Sequence, residues 1–522
     1  MRSILPNSFR GSGVAETWLV LLLALAVTAL PIGAHVVGQV FGIGLCVGLA
    51  FLVANFAASA VPATLLCAFL FQNVAVSLVT PWISGPAEFN TIRGYNFLTT
   101  GVMWLVLSAS YWSGERDRNS TSRRLMIGTS GILGLIVLYF LIGAIADARS
   151  AAIYLRNVAM PLLVFQAGLI AASRSRGNLV RTLTALAALA LLYGYAELLV
   201  RPQLFSLING DTYLGYTMRQ QIESGIFLRE LKETGRVVRG IEDMMKIDLF
   251  NTPLLSDLRI RIDRLQGPNF NPISFGYALA ILSLFRLAAG RPLYGLAALP
   301  LLLVIGSKGA LVLFLLSGAA LAVFGATRNR AMFALVVGTL ALYAAAAIVL
   351  GLGQGDYHVV GLFGGINGFL KNPFGHGLGA GGNLSMDMTR IDWSRSQALG
   401  QTDFAVESAV GVLLFQMGVA GFAVWLTPFA VAWTAWKATL RSGRIEFAAA
   451  AFGLLVVATN GLLQEEALFA PLALASVMLF AALAFGEQRA SADAPAGTAI
   501  PVWRRPGTRG VSPQSGELFQ PR

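Results

Sequence analysis

The 522 residues are 56% hydrophobic and only 12% charged, with a mean hydropathy of +0.68, against about 25% charged in soluble globular chains. That balance excludes an ordinary soluble enzyme, and apolar runs of membrane-crossing length recur almost from end to end. A net charge of +12 and a pI near 10 raise the question of a nucleic-acid partner, which the placement of the positive residues decides. Cys46 and Cys67 both fall inside apolar runs, leaving no disulfide framework and no cysteine metal site. With His35, His358 and His376 the only histidines, chemistry must rest on carboxylates, Arg, Lys and one His.

Arg2 and Arg10 precede the first apolar run, from Trp18 to about Val37. It reads as an uncleaved first helix, because no small-x-small cleavage site follows. Further apolar segments follow at roughly 38–56, 58–80, 97–113, 125–145, 157–173, 180–200, 272–289, 292–306, 309–326, 331–351, 406–436, 446–463 and 467–486. At about 20 residues per crossing this predicts an all-α polytopic membrane protein of about 12–14 transmembrane helices. The pairs near 292–326 and 446–486 fit either two spans or a re-entrant hairpin. Residues 487–522, rich in Pro, Gly, Ser and Ala without periodicity, read as a disordered tail after a membrane domain of residues 1–486.

Cytoplasmic loops retain Lys and Arg. With the N-terminus inside, the short cytoplasmic segments hold Arg116, Arg118, Arg123 and Arg124, then Arg174, Arg176 and Arg181, Arg286 and Arg291, Arg328 and Arg330, and Lys437, Arg441 and Arg444. The C-terminal tail adds Arg504, Arg505 and Arg509, so both termini are expected in the cytoplasm. The positive charge is therefore an orientation signal, and no nucleic acid is expected as a partner. Two long segments, 201–271 and 352–405, fall on the translocated side, where long loops house sites more often than they serve a pump. Between Ser224 and Leu265, Phe227, Leu231, Val238, Ile241, Met245 and Leu249 recur near helical spacing. They predict surface helices that roof a site.

Four stretches can carry chemistry. Arg259, Arg261 and Arg264 precede the Gly267–Asn271 turn that opens a span; guanidinium forks there would meet phosphate oxygens, with snorkelling at a helix end as the alternative. Lys308 is the lone cation between two apolar runs, suited to an anion or to a structural ion pair. In Asn372–Gly382, Gly375, Gly377 and Gly379 allow close backbone approach to an anion or sugar. His376 in that run is the histidine best placed for acid-base work, against a packed neutral role. Asp403 and Glu407, four apart, would share a helix face at the outer boundary as base or cation ligands, or serve as N-terminal helix carboxylates. Glu465, Glu466 and Glu197 raise the same question more weakly, and Glu197, inside a span, should face protein.

Taken in order, Tyr154-Leu-Arg156-Asn157, Arg264…Gly267…Asn271-Pro272, Ser307-Lys308-Gly309-Ala310, Asn372-Pro373…Gly375-x-Gly377-x-Gly379 and Glu407-Ser408 before Gln416-x-Gly418-x-x-Gly421 resemble the bacterial O-antigen ligase and polysaccharide polymerase family. The similarity covers roughly residues 130 to 480. Family members commonly show Arg where this chain has Lys308, and many ligases show His-Asn near Glu407-Ser408, a departure that favours a polymerase. The resemblance implies a GT-C-like, metal-independent inverting glycosyltransferase of the inner membrane, without cofactor. It would act on an undecaprenyl-pyrophosphate-linked oligosaccharide at the periplasmic face, building exopolysaccharide, capsule or O-antigen, with a polysaccharide co-polymerase as a possible partner beside membrane lipid. A ligase moving glycan to lipid A or protein, and a flippase for such lipids, are the alternatives. On this reading Arg156, Arg259, Arg261, Arg264 and Lys308 hold pyrophosphate, Gly375, Gly377, Gly379 and Asp403 line the substrate, and Glu407 or His376 is the base.

Overall fold

The computed structural model describes residues 13–114, 120–174, 179–223, 240–248, 261–384 and 391–492. In chain order the helices are α1 (Gly13–Val37), α2 (Gln39–Phe56), α3 (Val61–Val79), α4 (Pro86–Arg93), α5 (Tyr95–Gly114), α6 (Ser120–Arg174), α7 (Leu179–Ile208), α8 (Gly210–Glu223) and α9 (Ile241–Met245). They continue as α10 (Pro272–Ala288), α11 (Leu293–Ile305), α12 (Lys308–Thr327), α13 (Met332–Gln354), α14 (Tyr357–Lys371), α15 (Trp393–Leu399), α16 (Ala409–Met417), α17 (Val419–Ser442), α18 (Ile445–Asn460), α19 (Glu465–Phe469) and α20 (Ser476–Ala492, continuous with the wider turn Pro471–Ala475). Two short antiparallel strands, β1 (Lys246–Asp248) and β2 (Arg261–Asp263), pair with Lys246 opposite Asp263.

Among the described residues eight helices are long and apolar enough to cross a membrane, and the shorter α10, α11, α18 and α20 are also apolar. Val40, Ile145 and Leu342 are at least 75% exposed, which would be costly in water and is ordinary against lipid. The described residues are almost entirely helical, and the protein is membrane-embedded.

Several predicted boundaries shift for local reasons. The spans expected at 125–145 and 157–173 are two helices of one continuous stretch, parted where Asp147 leaves helical dihedrals (φ −150°, ψ 97°). Its carboxylate accepts from the Arg149 and Ser150 amides and from the Ser150 hydroxyl, so it caps the second half. The single span expected at 406–436 is instead two helices parted at Gly418, whose dihedrals (φ 56°, ψ −133°) suit only glycine. A Cβ there would lie 2.0 Å from the Pro373 carbonyl oxygen, so α16 is nine residues long. The span expected at 180–200 ends where Val200 leaves helical dihedrals (φ −138°, ψ 40°), and the segment from 201 opens with a short helical piece to Ile208. The segment 352–405 holds α14 and α15. The last helix runs to Ala492, so a tail would begin beyond the expected residue 487. That tail, and most of the surface helices expected between Ser224 and Leu265, lie outside the described residues.

Alternate crossings sort the connections into two ends. Asn73 bonds the Asn269 carbonyl, Ser77 the Ile208 carbonyl and Arg264 the Ile305 carbonyl at one end. At the other, Arg174 bonds Ser110, Arg286 bonds Thr184, Arg328 the Gly443 carbonyl and Arg444 the Glu487 carboxylate. We call these the loop end and the arginine end. A separate apolar cluster, including Phe89, Tyr95, Phe205, Tyr213 and Phe270, ties α4, α5, α7 and α8 together at the loop end.

Candidate functional site

Carboxylates gather at the loop end because short helices stop there. At about 1.5 Å per residue, α11 (13 residues) and α18 (16 residues) reach only about 20 and 24 Å, less than the roughly 30 Å of a hydrocarbon core. The turns that follow them, 306–308 and 461–464, therefore fall short of a full crossing, and we call the place where they meet the recess. Asn460 Nδ2 donates to the Gly309 carbonyl and to the Tyr277 hydroxyl, and that hydroxyl donates to Gln464 Oε1. This network locks the turn carrying Lys308 to the turn carrying Glu465 and Glu466. Gly309 is required there, since a Cβ would lie 2.2 Å from the Tyr277 hydroxyl.

Glu465 is buried and accepts from the Tyr154 hydroxyl at 2.7 Å and from the Asn383 amide at 3.0 Å. Burial pushes its pKa up to about 8. Glu466 is also raised, by burial and by the charge of Glu407, against the opposing pull of His358 and Arg264. Glu407 is buried, and its Oε2 lies 3.8 Å from His358 Nδ1. Its backbone occupies the left-handed region at φ 64°, a conformation costing a side-chain-bearing residue about 1–2 kcal/mol. The Glu407 amide donates to Asn383 Oδ1 at 2.9 Å, so Asn383 holds the Glu407 backbone with its side chain and Glu465 with its amide. His358 is placed by Asp356, which caps α14 by accepting from the His358 and Val359 amides.

One expectation is corrected here. Asp403 and Glu407 do not share a helix face: residues 401–408 are non-helical, Asp403 is exposed, and the helix begins only at Ala409. The left-handed turn at Glu407 and the Ser408 side-chain cap on the Gly411 amide explain the late start. His376, the alternative candidate base, sits apart from Glu407 in a packed position. Its ring stacks on Phe415 at 4.3 Å and Nδ1 is 2.9 Å from the Phe415 carbonyl. That lies near the far end of α16, about 12 Å of helix away. The histidine that meets the carboxylate is His358.

The cations form a second wall. Arg264 donates from Nε to the Ile305 carbonyl, three residues before Lys308. Burial lowers its pKa to about 10, with Glu466 and Tyr357 acting the other way, so it stays charged at neutral pH. Glu197 sets its position. Buried within α7 and facing protein, it accepts from the Gln266 and Gly267 amides at 2.6 and 2.8 Å. Arg201 donates to Glu197 and to the Arg264 carbonyl. Lys308 is exposed, and no ion pair to it is found among the described residues. Arg156 is half-buried, beside the buried Asn157 and close enough to Arg93 for the two charges to interact. Arg261 lies exposed on β2, opposite Asp248, away from the recess wall that Arg264 joins. Arg259 lies outside the described residues.

The glycine run does not form the expected anion cradle. Gly375, Gly377 and Gly379 all have positive φ, and Cβ atoms on them would strike the backbone of Gln416–Gly418, Gly143 and Ser150–Ala151 respectively. The amides of residues 375–378 and 382–383 are spent on protein acceptors. These glycines thread the chain between α6 and α16 and so deliver Asn383 to Glu465.

The recess thus places buried carboxylates, Glu465 among them with its raised pKa, within electrostatic reach of Arg264, with Lys308 on the adjoining turn. Such a site can accept a proton on one wall and stabilise an anionic leaving group on the other. Among the described residues no three His, Cys, Asp or Glu side chains converge as metal ligands. No protein-family model, curated protein or solved structure matches the chain.

Proposed function

We propose that this membrane protein is a glycosyltransferase that joins polyprenyl-pyrophosphate-linked oligosaccharide repeats into a polysaccharide, with the loop end in the periplasm of a bacterial inner membrane. The observation that carries the reading is the Glu407–His358 pair at 3.8 Å, with Glu466 close enough to feel the charges of Glu407, His358 and Arg264. A sugar hydroxyl of the acceptor attacks the anomeric carbon of the donor and its proton passes to Glu407. The bond to the pyrophosphate oxygen breaks, its electron pair stays with the departing pyrophosphate, and the extra negative charge that develops there meets Arg264 and Lys308. His358 supports the charge change at Glu407. Attack opposite the leaving group inverts the anomeric centre; a product with retained configuration would overturn this route.

The test is incubation of the purified chain with lipid-linked repeat units alone. A ladder of longer chains is expected, reduced at least 10²-fold in Glu407→Gln and in Arg264→Ala. A ladder unchanged in both variants would remove this site from the reaction. Transfer only when lipid A or protein acceptor is added would replace polymerase by ligase, and no transfer under either condition, with lipid movement across vesicles, would replace both by a transporter.

A further inference from the structure

At the arginine end, away from the carboxylates, the first half of α6 and the second half of α17 part around a cavity of about 450 Å³. Arg124, Lys437 and Arg441 line it, all three exposed and all at the helix ends that define its mouth. No Asp or Glu is among its lining residues. Lys437 is steadied over the Trp433 ring at 5.8 Å. Below the mouth the wall is apolar in effect. Leu125, Ile132 and Val431 contribute side chains, and the threonines offer few protons: Thr129, Thr427 and Thr434 donate theirs to the Leu125, Ala423 and Ala430 carbonyls at 2.7 to 2.8 Å. Gly128 keeps the wall open, since a Cβ there would meet nothing within 4 Å. Thr427 also borders a smaller apolar cavity beside Leu162, Trp425 and Phe469, which extends the groove toward the loop end.

A ligand that fits must carry an anionic head and an apolar tail, since the charged donors stand at the mouth and the wall beneath them is apolar. A basic pocket between transmembrane helices at the level of a leaflet boundary suits a lipid phosphate. We propose that this cavity binds one acidic phospholipid of the leaflet at the arginine end, its phosphate on Arg124, Lys437 and Arg441 and an acyl chain between α6 and α17. A zwitterionic lipid leaves part of that charge unmatched. This inference stands apart from the proposed reaction, because it shares no residue with the recess.

The full chain, purified in mild detergent, is titrated with phosphatidylglycerol or phosphatidylcholine and bound lipid is counted by native mass spectrometry. Phosphatidylglycerol is expected to be retained preferentially. Combining Arg124→Gln, Lys437→Gln and Arg441→Gln should weaken its retention on the order of a hundredfold, from roughly one unit of surface-charge attraction per cation. Gly128→Trp, which fills the cavity and leaves every charge in place, should also displace the lipid, and it keeps the test decisive if the triple variant fails to fold. Removing as much charge elsewhere on that end, with Arg123→Gln, Arg291→Gln and Arg330→Gln, should leave retention unchanged. Equal loss in both triple variants, or full retention in Gly128→Trp, would overturn the site. Displacement of the lipid by inorganic phosphate at equal concentration would reduce it to a phosphate site without lipid specificity.

Discussion

Glu407 combines burial, a histidine 3.8 Å away and a left-handed backbone. A strained residue that persists is one the surroundings hold in place, here through Asn383. Asn tolerates φ > 0 better than other side chains. Glu407→Asn is therefore expected to match or exceed the melting temperature of Glu407→Gln by up to about 1 kcal/mol of stability, while both lose activity. A clearly less stable Asn variant would mean that the left-handed turn is absent. Glu465 carries a second prediction. Its folded pKa of about 8 lies above its ordinary value of 4.5, so the folded state holds the proton more tightly. The stabilisation is complete below about pH 4.5 and is lost as pH rises toward 8. Glu465→Gln should flatten the fall in melting temperature over that window; an unchanged pH profile would argue against a buried, proton-holding Glu465.

At the scale of elements, the site depends on α14 lying flush on the 402–406 segment and α16. Gly361, Gly364, Gly365 and Gly368 make that face. A Cβ on each would approach the Val406 carbonyl, the Thr402 hydroxyl, the Gly411 backbone and the Phe415 ring at 2.0 to 2.3 Å. The small-residue spacing that lets helices touch was present in the sequence, but no reading of function drew on it. Because Val406 directly precedes Glu407, Gly361→Ala is expected to cost about 1–3 kcal/mol by overpacking and to lower activity. Gly353→Ala, with nothing within 4 Å of its Cβ, should do neither. If the two variants behave alike in thermal melting and product assays, the α14 contact does not position Glu407.

For the whole molecule, the sorting of connections between two ends makes a topological prediction. Cys46 and Cys67 are buried, so single cysteines introduced at exposed positions report alone. Asp403→Cys and Arg441→Cys, both exposed and at opposite ends, should react with a membrane-impermeant thiol reagent from opposite sides of sealed vesicles. On the proposed orientation Arg441 would be the residue labelled from the cytoplasmic side. Reaction of both from one side would break the assignment of ends on which the proposed reaction and lipid site rest.

Composition and hydropathy alone determined that the chain is helical and membrane-embedded, since about 20 apolar residues per crossing leave few other structures. Arg264, Lys308 and Glu407 stood out in the sequence as charges next to apolar runs, where charge is costly unless it has a role. Only the tertiary structure decided their company. His358 and His376 look alike in sequence, yet the cap at Asp356 delivers one to Glu407 while the ring of Phe415 holds the other aside. Glu465, Asn383 and Tyr154 are remote from one another along the chain, and their hydrogen bonds exist because the glycine run can pass against the α6 backbone. Local spacing cannot report a contact between residues about 310 positions apart, because that contact is set by how the helices pack and where the short ones stop.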